Sequence, residues 1–195
     1  MEREFDALPI RELGAGAGFC RPTHAQAPRV TAGSPALQVM TDLARVSPAT
    51  IRPQAPLAGA NQFMITRRVR LLLVVDEAHD TVVGVITASD LLGERPMQVA
   101  IARGLRRDEL AVADVMTPAA QVEVLALADV ERSRVGHVLE TLRRLGRQHA
   151  LVVDAEGKVR GVFSISQIAR QLGVAPPAGG EVARTFSEIE AALVK

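Results

Sequence analysis

The chain alternates short apolar runs with polar turns and amphipathic stretches, and two of its stretches repeat one another. Leu71 to Leu92 reads LLLVVDEAHDTVVGVITASDLL, and His149 to Leu172 reads HALVVDAEGKVRGVFSISQIARQL. Each is an apolar run ending in Val-Val-Asp, then a polar turn, a second run opening on Gly-Val, and a hydroxyl residue leading into a helix. Continuous apolar runs of strand length, bounded by turn formers, are the mark of strands covered on both faces. The pattern predicts strands over 71–75, 82–87, 149–153 and 159–163. Asp76 recurs as Asp154, Gly84 as Gly161, and Val39-Met40-Thr41 as Val115-Met116-Thr117. Landmarks that keep one spacing mark a tandem repeat of one alpha/beta unit.

The remaining segments fill in that unit. Ser34-Pro35 has the form of a helix start, cap and first position, which predicts a helix to about Ala44. A short strand is expected at 49–51, fenced by Pro48 and Pro53. Leu57, Ala60, Phe63 and Met64 recur at helical spacing over 57–69. A helix is expected from 88–90, broken at Gly93, and another over 96–107. Val122 to Leu127 reads as the opening strand of the second unit. Its long helix follows, with Val135, Val138, Leu139, Leu142 and Leu145 on one face and Arg134, Glu140, Arg143 and Arg144 on the other. Gly146 is placed to stop it. Glu156-Gly157 supplies a turn between the last two strands, and a closing helix covers 164–172. Pro176 to Gly180 breaks the pattern as a linker. A last helix carries Phe186, Ile189 and Leu193, whose stripe would cover either its own domain or a dimer partner. The expected division is an extension over 1–33, a first unit over 34–110, a second over 111–174, and a linker with a helix over 175–195.

Composition narrows the classes. Of 195 residues, 48% are hydrophobic and 23% charged, enough apolar content for a packed core. The net charge of +1 provides no surplus to draw the chain to nucleic acid or acidic membranes. Trp and Tyr are absent, so stacking platforms for single strands are missing. No apolar run approaches the roughly 18–20 residues that cross a bilayer. The opening Met-Glu-Arg-Glu-Phe-Asp lacks the apolar segment of a signal peptide. Cys20 is the single cysteine, which rules out an internal disulfide and fits a reducing cytoplasm. Leu13 to Phe19 (LGAGAGF) has glycines but no following Lys-Ser/Thr and no feeding strand, so it is not read as a phosphate loop. Cys20 and His24 do not make a metal site, and His79 and His137 have no paired ligand at metal spacing. No metal and no catalytic constellation are expected.

The duplicated unit, with hydrophobic-Val-Val-Asp, a turn, Gly-hydrophobic-hydrophobic-hydroxyl and a nearby acid, resembles the CBS domain. Two units would form a CBS pair, or Bateman module, over roughly residues 35–173. One departure is that Leu73 and Leu151 stand where the family often has Pro. The resemblance implies an α/β (α+β) fold of two pseudo-symmetric β-α-β-β-α units. It implies an adenosine-containing ligand (AMP, ADP, ATP or S-adenosylmethionine) between the units and no obligatory cofactor. It also implies a homodimer and a regulated protein partner.

The family's ligand pattern, G-x-x-T-x-x-D, reads Gly84-Val85-Ile86-Thr87-Ala88-Ser89-Asp90 here. A carboxylate can accept hydrogen bonds from both ribose hydroxyls. A hydroxyl at a helix start can join free backbone amides in holding a phosphate. The other reading of Thr87 and Asp90 is that they only cap a helix. In the second unit Ser164 keeps the hydroxyl, but Gln167 replaces the acid. Two unequal clefts are therefore expected. The stronger is built on Thr87, Ser89 and Asp90, with an adenine wall from Val122 to Val124 and with Arg147 and His149 nearby. The weaker is built on Ser164 and Gln167 with Thr50 and Ile51. This rests on the expectation that each unit's opening strand lies against the other unit. The leading functional reading is a regulatory adenine-nucleotide sensor that is not an enzyme. The alternative is a ligand-free scaffold for dimerisation or docking.

Overall fold

The computed structural model describes residues 30–174 and Ile189. Cys20, His24, the LGAGAGF stretch, the PPAGG linker and the other residues of the expected last helix, Phe186 and Leu193 among them, lie outside the described residues. Ile189 is helical and buried in the core of the second unit, which is the own-domain docking alternative.

In chain order the elements begin with a 3-10 turn, Ala36–Val39. Then come β1 (Thr41–Asp42), β2 (Thr50–Ile51), α1 (Leu57–Arg67), β3 (Leu71–Asp76) and β4 (Thr81–Thr87). α2 (Ala88–Leu92), α3 (Arg95–Arg103), α4 (Val112–Val115) and β5 (Thr117–Pro118) lead to the second unit. That unit contains β6 (Val124–Ala126), α5 (Leu127–Arg132), α6 (Val135–Leu145), β7 (His149–Val153), β8 (Val159–Ser164) and α7 (Ile165–Gln171). In each unit a strand, a crossover helix and a parallel strand are followed by an antiparallel hairpin partner and a short helix. This is the expected β-α-β-β-α order, twice.

The two sheets run β2-β3-β4-β5 and β1-β8-β7-β6. Their outer strands are exchanged. β1, from the start of the first half, pairs with β8, and β5, from the start of the second half, pairs with β4. The first core accordingly includes Leu110, Val112 and Val115, and the second includes Ala36, Val39 and Met40. The packed units therefore do not coincide with the contiguous segments 34–110 and 111–174. The expectation for the opening strands is corrected here: β2 and β6 pair within their own sheets, and the Met-Thr lead-ins are what cross over.

The crossing explains the paired motifs. A Cβ on Gly84 would lie 2.6 Å from the Thr117 carbonyl oxygen and 2.9 Å from Met116 Sδ. A Cβ on Gly161 would lie 2.8 Å from Met40 Cγ. Only glycine lets the incoming Met-Thr strand approach so closely. A smaller apolar contact of Leu73, Val85 and Leu151 joins the two sheets face to face.

Three other expectations change. The helix placed from Ser34 to Ala44 is a short 3-10 turn, because residues 41–42 are needed as a strand. The helix over 96–107 stops at Arg103, where Gly104 turns left-handed at φ +63. α5 was not foreseen, since a single turn holding Leu127 and Val130 carries too little periodicity.

Candidate functional site

Thr87 ends β4 and caps α2. Its hydroxyl accepts from the Asp90 backbone N–H at 3.2 Å. Asp90 Oδ2 accepts from the Thr87 backbone N–H at 2.8 Å and from the Thr87 hydroxyl at 2.7 Å. This is a complete capping box, and it holds the carboxylate at a fixed place at the mouth of the sheet. Oδ1 meets Arg95 Nη1 at 3.6 Å and has no hydrogen bond among the described residues. Arg95 is in turn anchored across the exchanged strand, donating to the Met116 carbonyl at 3.0 Å.

The expected role of the helix start is corrected by its amides. α2 has only five residues, and the Ala88 and Asp90 N–H groups already donate to the Arg70 carbonyl and the Thr87 hydroxyl. Little of the helix end remains to bind a phosphate.

A cavity of about 330 Å³ opens beside this box. It brings together Thr87 at the end of β4 and Ser89 and Asp90 on α2 with Val122, Arg147 and His149 from the other half. Apolar walls come from Leu71, Val85 and Leu151. Val124 is not among the lining residues; it borders a larger groove, as do Thr50 and Ile51, and that groove shares Val85, Val122 and Leu151 with the cleft. The physical reason is register. Val124 and Thr50 pair with Leu151 and Leu73 inside the sheets, so the residues just before these strands reach the clefts instead.

The second cleft, of about 280 Å³, contains Ser164 and Gln167 together with Pro48 and Ala49. The Gln167 carbonyl oxygen accepts from the Thr41 hydroxyl at 2.8 Å, again across an exchanged strand. Leu71 and His149, which open the equivalent strands β3 and β7, line both clefts. Burial lowers the His149 pKa from 6.5 to about 4; nearby Arg70 adds to this, and Asp90 opposes it. The imidazole is neutral near pH 7 and offers a hydrogen bond, not a charge.

The arginines at the end of α6 and just after it divide. Arg143 and Arg144 pair with Glu140 on the exposed face of α6 at 2.8 and 2.9 Å. Arg147 lies in the first cleft but pairs with Glu123 at 3.1 Å. Sequence reasoning missed Arg67, Arg68, Arg70 and Arg170, which line the second cleft. The signal was available: Arg68 occupies the place of Gly146, so the repeat sets residues 67–70 beside Gln167 as it sets Arg147 beside Asp90. Among the described residues, no group of three His, Cys, Asp or Glu side chains could hold a metal ion. No helix among them is long and apolar enough to cross a membrane.

The duplicated sheets, their exchanged strands and the two clefts between them define a tandem α/β repeat protein. The CBS domain profile matches residues 38–96 and 112–173, more than half of the chain, and the chain belongs to the CBS domain family. No curated protein sequence matches it. Among solved structures it is similar to an uncharacterized conserved protein from Pyrococcus horikoshii. The identity is 22% and the TM-score 0.56, over 77% of this chain and 100% of that one. It is also similar to CBSX2, a protein of Arabidopsis thaliana, in complex with AMP. There the identity is 24% and the TM-score 0.50, over 72% and 94% of the two chains. A third is the CBS domain pair of protein MJ0100 in complex with 5'-methylthioadenosine and S-adenosyl-L-methionine. Its identity is 23% and its TM-score 0.50, over 70% and 93%. At these identities the likeness carries the fold.

Proposed function

We propose that this chain is a regulatory CBS pair that binds an adenosine-containing ligand in the Asp90 cleft and catalyses no reaction. One observation carries the reading: a carboxylate whose Oδ1 faces Arg95 but accepts no hydrogen bond among the described residues shares a cavity with apolar walls drawn from both units. Asp90 accepts from the ribose hydroxyls, and Leu71, Val85 and Val122 supply the flat apolar slot that adenine needs. Ligand that touches both units shifts their equilibrium only if it binds one arrangement better than another. Arg147, the one cation among the described residues that line the cleft, is already paired with Glu123, nearby Arg95 is paired with Asp90, and His149 is neutral, so the cleft suits AMP or S-adenosylmethionine better than ADP or ATP. Two of the similar structures hold ligands of those kinds, which agrees with this choice.

The capping box favours a second reading, a scaffold without ligand, because it is complete within the protein. Thermal unfolding with AMP, ADP, ATP and S-adenosylmethionine separates the two. A ligand at a hundredfold over its dissociation constant stabilises by about 2.7 kcal/mol, roughly 5–11 °C at this size. Asp90→Asn should abolish the shift. No shift with any of the four leaves the scaffold reading in place. Homodimerisation belongs to the same proposal: Met97 and Ile101, one turn apart on α3, are 54% and 74% exposed. In sedimentation, Ile101→Glu should weaken the dimer at least about tenfold, as expected for a carboxylate placed in an apolar contact.

A further inference from the structure

The acid of the first cleft has a counter-charge held outside the cavity. Arg95 opens α3, one residue before Pro96. Its Nη2 donates to the Met116 carbonyl at 3.0 Å, and its Nη1 donates to the Thr117 hydroxyl at 3.4 Å. The same Nη1 lies 3.6 Å from Asp90 Oδ1, close enough for charge but beyond hydrogen-bond reach. Asp90 and Thr117 line the cavity, and Arg95 does not. Asp90 has no other ion pair among the described residues.

The repeat shows that this arginine accompanies the acid. The offset that leads from Thr87 to Arg95 leads from Ser164 to Leu172, which packs against the second core. The half with an aspartate has the arginine, and the half with Gln167 has neither charge. There the Thr41 hydroxyl bonds Gln167 directly, so holding the exchanged strand does not require an arginine. A carboxylate that accepts from ribose hydroxyls stands close to any group carried on the same ribose. Left bare, it repels a phosphate there and attracts a sulfonium. Arg95 offsets that charge. Its two anchors on the exchanged strand keep it short of a hydrogen bond to Oδ1, so the acceptor stays available to a ligand.

We propose that Arg95 sets the charge preference of the Asp90 cleft. It favours an adenosine ligand with an anionic 5′ group, a nucleoside monophosphate, over one with a cationic 5′ group, a sulfonium. Arg95 acts through Asp90, and the inference rests on the reading that ribose binds there.

Isothermal titration calorimetry on the full chain with adenosine, AMP, 5′-methylthioadenosine and S-adenosylmethionine tests it. Two affinity ratios carry the result: AMP over adenosine, and S-adenosylmethionine over 5′-methylthioadenosine. Arg95→Gln should lower the first about fivefold and raise the second by a similar factor, the scale of one partly exposed ion pair. Loose packing or a loss of folded protein does not move the two ratios in opposite directions. Arg95→Lys keeps the charge and should hold both ratios within about twofold of wild type. Raising salt from about 50 to about 200 mM should shrink the effect of Arg95→Gln. Ratios that stay put in Arg95→Gln, or move the same way, would overturn the proposal and leave the ribose reading intact. A lysine variant that behaves as the glutamine variant would do the same. Failure of all four probes to bind wild type would overturn the ribose reading, and this inference with it.

Discussion

His149 stands where the two clefts meet, and its chemistry sets a pH dependence. Its pKa is about 4 in the folded chain and near 6.5 when exposed. Above pH 6.5 both states hold it neutral, and it contributes nothing to the pH slope. Between pH 6.5 and 4 the unfolded state binds a proton that the folded state refuses, so stability falls as pH falls. Below about 4 both states are protonated and the loss stops growing. The slope from this one group approaches about 1.4 kcal/mol per pH unit. His149→Leu copies the residue that the repeat places at Leu71. Urea unfolding from pH 7.5 to 4.5 should show a shallower decline for this variant than for wild type. Parallel curves would mean that His149 titrates as an ordinary exposed histidine.

The exchanged lead-in strands β1 and β5 decide which elements could be read in advance. Long strands and α6 were legible because burial on both faces, or on one helical face, writes a period into the sequence. β1 and β5 have two residues each, too few for any period, so Val-Met-Thr was visible only as a repeated word. Its physical meaning lies in Gly84 and Gly161, against which Met116 and Met40 pack. The cap at Thr87 was legible for the same reason that it was ambiguous: a capping box and a ribose-binding acid use the same residue types. The arginines of the second cleft were missed because Arg68 fills a left-handed position where glycine is usual, which hid its match to Gly146. At this scale the close approach gives a sharp expectation. Gly84→Ala sets a methyl against backbone and should cost about 1–3 kcal/mol. Chemical denaturation measures this. Gly59→Ala, whose added Cβ meets only Pro56 at 3.5 Å inside α1, is the control and should be neutral or stabilising. Equal effects of the two substitutions would refute the close-packed crossing.

For the whole molecule, exchange means that neither unit owns its core. The second core contains Ala36, Val39 and Met40 from the first half of the chain, and the first contains Val112 and Val115 from the second. The facing sheets are also joined by Leu73, Val85 and Leu151. Unfolding one unit therefore strips apolar cover from the other, and the pair should unfold as one cooperative body. Met40→Ala tests this, because its side chain serves the second unit while its position lies in the first half. Truncating a buried methionine costs roughly 2–5 kcal/mol. Native-state hydrogen exchange should then show Leu72 and Val74 in β3 losing as much protection as Ala150 and Val152 in β7. If β3 keeps its protection while β7 loses it, the units are independent. A ligand in one cleft would then reach the other through His149 and Leu71, which line both, and through Arg70, whose carbonyl accepts from the Ala88 N–H at the start of α2.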